Sequence, residues 1–160
     1  MPERINTTMK IAGEVSENTA IELLQIYNNI IYPELTLEHL KNLTLFSFTI
    51  HTNTGNFNEI EEFFIKHNIP FVRFMEPYDN SPDGELRFFY NKRTNTYKCN
   101  SNGIPYLNEF DFDADDNNNG RISLEMAGQF LIQFLTDSQN INIIKHTPFK
   151  VIVGEIKHGC

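Results

Sequence analysis

Tryptophan is absent, and cysteine occurs twice, at Cys99 and Cys160. Two cysteines do not make a disulfide framework, so the fold must rest on apolar burial, and reduced thiols in a cytoplasmic setting are expected. Basic residues are scarce: 13 Lys and Arg face 21 Asp and Glu, a formal charge of −8. That argues against a phosphate-binding surface, which needs clustered bases, so direct nucleic-acid binding is not expected. No stretch approaches the roughly 18 apolar residues of a membrane span. Met1-Pro2-Glu3-Arg4 is not followed by an apolar run, so a secretory signal is not expected either.

Recognisable reaction chemistry is also missing. No His-x-x-x-His or Cys-x-x-Cys pair announces zinc, no Gly-Lys-Ser/Thr announces a phosphate loop, and no Ser has Gly two residues away on both sides. No cofactor is expected. What the chain does have is 14 Phe among 160 residues. At this length folding buries roughly 68–70% of the unfolded surface, enough for a core built on Phe, Ile and Leu in a single domain over 1–160.

The patterning predicts an α+β fold. Ala20, Leu23, Leu24, Tyr27, Ile30 and Ile31 share one face of a helix over 18–31, with Thr19 and Glu22 spaced as a capping box. A short helix over 36–41 follows. Leu43–His51 reads as a strand. Phe57, Ile60, Phe63 and Phe64 give a helix closed at Asn68. Strands are expected at 71–76, 85–90 and 96–100. Ser123 is placed to cap a helix to Thr136 that buries Leu124, Ala127, Phe130, Leu131, Phe134 and Leu135. Final strands are expected at 141–145 and 149–156. From Leu43 this order matches an antiparallel, ferredoxin-like split βαβ sheet, and other α+β arrangements share it. Residues 1–42 then form an N-terminal helical extension to a core over 43–156, and 91–122 form an insertion.

The feature that stands out is the run Glu109, Asp111, Asp113, Asp115 and Asp116: five carboxylates within eight residues and no base among them. Such a run repels itself unless something positive faces it. One reading is a solvated Asn/Gly-rich loop whose carboxylates face water and counter-ions, and a second is a basic protein surface. Another is calcium, because Asp115, Asn117 and Asn119 fall at positions 1, 3 and 5 of a calcium loop and Gly120 at 6. Position 12 is Met126, however. Glu125 is one residue early, about 100° away around a helix, so such a site would be weak. A fourth reading is catalytic, either through the carboxylates Asp111 to Asp115 or through His51 and His146 if the first and last strands pair. The aromatic strand Phe88-Phe89-Tyr90 reads as core and not as an RNA platform.

His67-Asn68-Ile69-Pro70-Phe71-Val72-Arg73-Phe74-Met75-Glu76-Pro77-Tyr78, followed by Gly84-Glu85-Leu86-Arg87-Phe88-Phe89-Tyr90, resembles a segment of small accessory proteins of phages and mobile elements. The resemblance implies a setting and no catalytic residue. Some of those proteins inhibit bacterial defence systems, anti-CRISPR proteins among them. With the −8 charge and the carboxylate run, the expectation is a non-catalytic inhibitor or immunity protein. Its partner would be a basic protein such as a nuclease or nucleic-acid-binding effector, met through Glu109, Asp111, Asp113, Asp115 and Asp116.

Overall fold

The computed structural model describes residues 5–31, 34–52, 57–77, 82–107 and 123–153. These form an α+β fold around a mostly antiparallel sheet. The elements are β1 (Ile5–Ile11), β2 (Gly13–Ser16), α1 (Glu17–Ile30), α2 (Leu37–Lys41), β3 (Phe46–Thr52), α3 (Asn58–Lys66), β4 (Phe71–Met75), β5 (Gly84–Tyr90), β6 (Arg93–Cys99), β7 (Pro105–Tyr106), α4 (Leu124–His146) and β8 (Phe149–Ile152). Six strands form one sheet in the order β3-β1-β4-β5-β6-β7, and β2 pairs in parallel with β8 in a second, two-stranded sheet.

The segment expected to be a helical extension supplies a central strand. β1 lies between β3 and β4 and is antiparallel to both. Its pattern explains why: Thr7, Met9 and Ile11 are buried, while Asn6, Thr8 and Lys10 on the other face are partly exposed. β3 and β4, joined through α3, therefore run parallel to each other with β1 between them. β6, inside the span expected as an insertion, is also a full member of the sheet, paired with β5 from Gly84↔Cys99 to Tyr90↔Arg93. Asn91 (φ 50°) and Lys92 (φ 63°) make the two-residue turn of that hairpin, and both are left-handed as such a turn requires.

Two cores flank the large sheet. On one face α1 and α3 bury Leu23, Tyr27, Ile60 and Phe64 against Met9, Ile11, Phe46, Phe48 and Phe71. α1 is capped by Ser16, whose hydroxyl accepts from the Thr19 amide, so Thr19 is not the capping residue. Asn68 takes the left-handed conformation (φ 55°) expected where α3 ends. Glu61 is buried on α3, where Arg73 and Arg87 both donate to its carboxylate, tying α3 to β4 and β5. On the opposite face Val72, Leu86, Phe88 and Cys99 pack against Ile141 and Ile144 of α4. Phe88 and Phe89 are thus core residues, one in each layer. Residues 141–145, expected as a strand, are the last turns of α4.

Candidate protein-interaction surface

α4 is held to the sheet by its second half. Ile141 and Ile144 enter the core. One turn before Ile141, Asp137 is fully buried, which demands compensation for its charge. β6 supplies it from one face, because Arg93, Asn95 and Tyr97 alternate along the strand. Arg93 donates from Nε to Oδ1 (2.7 Å) and from Nη2 to Oδ2 (2.9 Å), the bidentate fork that suits a carboxylate. The Tyr97 hydroxyl and the Asn95 amide also donate to Oδ2. Burial pushes the Asp137 pKa up, but the hydrogen bonds from Arg93, Tyr97 and Asn95 outweigh it and hold the carboxyl below its usual value. Burial, with the bond to Asp137, raises the Tyr97 phenol, so it remains a donor. At the far end, Lys10 Nζ donates to the carbonyls of Ile144 (2.9 Å) and Thr147 (2.7 Å), placing a cation at the negative end of the helix.

The first half of α4 has a different environment. Ser123 caps it, accepting from the Met126 amide (3.1 Å). Tyr97 reaches it edge-on through Phe134, with ring centroids 5.3 Å apart. Beyond that contact the helix turns an apolar side outward. Leu124, Gly128, Leu131 and Leu135 recur at i, i+4, i+7 and i+11, a seam on the side opposite Asp137, Ile141 and Ile144. Leu124 is 90% exposed, Leu131 48%, Ile132 68% and Leu135 59%. Among the described residues a Cβ added at Gly128 would meet nothing within 4 Å. Glu125 is the one charged residue from Leu124 to Thr136. The sequence reading put Leu124, Leu131 and Leu135 in the core; they are exposed, and so is Phe130. Ala127 and Phe134 are half-buried.

Glu109, Asp111, Asp113, Asp115, Asp116, Asn117 and Asn119 lie outside the described residues. Glu125 is in the first turn of α4 and exposed. Among the described residues no three His, Cys, Asp or Glu side chains come together as metal ligands would. The strand pairing that would join His51 to His146 is not formed, because β3 pairs with β1 and β8 with β2. His146 ends a helix, with Nδ1 2.9 Å from the Asn142 carbonyl. The chain segments of the two histidines meet where the Phe149 amide donates to the Thr44 carbonyl, and His51 is roughly 20 Å further along β3.

The exposed seam is the site the sequence reading missed. Its signal is in the sequence: the first thirteen residues of the helix hold one charge and spread Leu, Met, Phe and Ile over more of its circumference than one sheet can cover. No helix among the described residues is long and apolar enough to cross a membrane. No protein-family model matches the chain, and no curated protein or solved structure matches it significantly.

Proposed function

We propose that the protein works by binding other proteins and not by catalysis. The observation that carries this reading is the open apolar seam of α4. A contiguous patch of this kind on a folded domain marks an interaction site, whereas scattered apolar side chains do not. The chain's charge of −8, and the carboxylate run that precedes α4 in sequence, select a basic partner. Proteins that handle nucleic acid present such surfaces. Occupying one with an acidic protein would block it, which is the action of an anti-defence inhibitor or an immunity protein. Apolar area would supply holding strength and the carboxylates would supply encounter rate.

The test is capture from a host extract on immobilised protein at low and physiological salt, beside a variant with Asp111, Asp113, Asp115 and Asp116 replaced by Asn. The expected partner is a nucleic-acid-binding protein. It is captured less at higher salt and less by the variant, and it loses its nucleic acid when this protein is added. A captured protein that keeps its nucleic acid and is held equally by both forms sinks the proposal.

A further inference from the structure

We infer that a cavity of about 220 Å³ beside the C-terminal end of α4 binds a small organic monocarboxylate with an apolar body. Its floor is apolar: Val72, Phe74 and Leu86, on the face of the sheet that packs against Ile141 and Ile144. The strand register sets Lys10 beside Val72 in one cross-strand row, and Thr8, Phe74 and Leu86 in the next. Where the helix ends, the turn at Asn102-Gly103 and the side chain of Lys145 complete the walls. Gly103 has φ +74°, and a Cβ there would lie 3.5 Å from the Phe74 ring, so this turn sits close against the ring. The cavity is at the opposite end of α4 from the exposed leucines, so neither reading depends on the other.

Charge selects the ligand. Two lysines and no carboxylate line the cavity, in a chain of charge −8. Lys10 Nζ donates to the carbonyls of Ile144 and Thr147, and an ammonium has three N–H groups, so one donor remains. Burial lowers the Lys10 pKa, the mark of a cation already stripped of part of its water. Among the described residues no carboxylate pairs with it. Lys145 follows Ile141 by four residues, so its stem starts on the sheet side of α4, and its charge is felt at the buried Cys99 thiol. Asp83 and Glu85 act on the same thiol, but neither lines the cavity. Two ammonium groups above an apolar floor suit one carboxylate: charge-assisted hydrogen bonds hold the head, and the floor holds the body. A phosphate dianion finds too few donors, because no helix N-terminus lines the cavity. The volume is below the roughly 300–1,000 Å³ of drug-sized ligands, which limits the body to a single ring or a short branched chain.

The experiment is titration of the isotopically labelled full chain, read from its amide NMR shifts, with benzoate, phenylacetate and isovalerate as probes. Phenylacetamide removes the charge, acetate removes the body, and inorganic phosphate replaces the head. Lys145→Met keeps an unbranched stem without the charge, and Lys145→Arg keeps the charge. Lys145 is exposed, so both variants should melt as the wild type does. At least one of the three acids should bind saturably, with Kd below about 1 mM, and shift the amides of Lys10, Gly103 and Lys145 most. Phenylacetamide, acetate and phosphate should each bind at least about tenfold more weakly, as should that acid to Lys145→Met, with affinity recovered in Lys145→Arg. No saturation by any of the three acids up to about 10 mM, equal binding of phenylacetamide, or unchanged affinity in Lys145→Met overturns the inference. Tighter binding of N-acetylphenylalanine than of phenylacetate would assign the cavity to the end of a peptide, and the small-acid ligand falls.

Discussion

The two halves of α4 are one unbroken helix with opposite surroundings. From Asp137 onward the side chains facing the sheet are buried, and a charged cluster fixes the helix to β6. From Leu124 to Thr136 the composition is more apolar, yet Leu124, Leu131, Ile132 and Leu135 face outward. The half with the buried ion pair is in the core, and the greasier half is not. Position in the fold is therefore set by where a partner surface exists. β6 offers Arg93, Asn95 and Tyr97 in register for one carboxylate, and the sheet beneath Ile141 and Ile144 is already apolar. The first half overruns that surface.

The difference can be broken at its strongest point. Ile144→Ala, in the fully buried layer, should cost about 2–5 kcal/mol in chemical denaturation. A loss under 1 kcal/mol would mean that this half of the helix is not core. Asp137→Asn should come next, at about 1–3 kcal/mol, because it removes the charge from the hydrogen bonds made by Arg93 and Tyr97. The pH dependence gives the sign. The folded carboxyl titrates below its ordinary value of 3.8, so its stabilisation is present above that pH and disappears as pH falls through the folded pKa. The wild type should lose stability more steeply than Asp137→Asn below about pH 4; parallel acid-unfolding curves would count against the clamp.

Smaller effects sharpen the contrast. Phe130→Ala should cost about 2 kcal/mol, because the residue is 37% exposed and the rest of its surface is covered. Leu131→Ala and Ile132→Ala should fall within about 0.5 kcal/mol in dilute protein. Values of several kcal/mol there would show that the first half is as deeply built in as the second. The smallest expected effect is that of calcium. A loop beginning at Asp115 has Met126 where the bidentate carboxylate belongs, so calcium against chelator should shift the melting temperature by less than about a degree. A rise of several degrees would indicate a site with another ligand set.

Much of the fold was legible where side-chain period and local signals agree. The apolar face of α1, the left-handed Asn68 after α3, the alternation along β3 and the Ser123 cap all read directly from residues. The failures have distinct physical causes. β1 hid because Asn6, Thr7, Thr8 and Lys10 look like a solvated stretch; Thr7 is buried all the same, since its neighbours come from β3 and β4, far away in sequence. Asn140-Ile141-Asn142-Ile143-Ile144 has the β-branched residues of a strand, but a helix already running from Ser123 extends more readily than a new element begins. The exposed seam reads as core because periodicity shows that a helix has an apolar face, and where the apolar side chains spread over most of the circumference it cannot say which of them meet the protein. Asp137 was the discriminating residue, and a lone carboxylate in a sequence does not announce burial.

The position of β1 also dictates an order of folding. The hairpin of β5 and β6 closes through two residues, whereas β1 must find partners up to 68 positions away, as in Thr7↔Met75. Closing long loops costs entropy before any contact repays it, so the hairpin forms early and β1 inserts late. Until it does, β3 and β4 carry facing unpaired edges, and the half-made sheet has an open slot that fits one strand. A strand of that description is also available on any neighbouring chain. Refolding at rising concentration should thus favour exchange of β1 between molecules, and pulse-labelled amides of Thr7 and Met9 should gain protection after those of Leu86 and Tyr97.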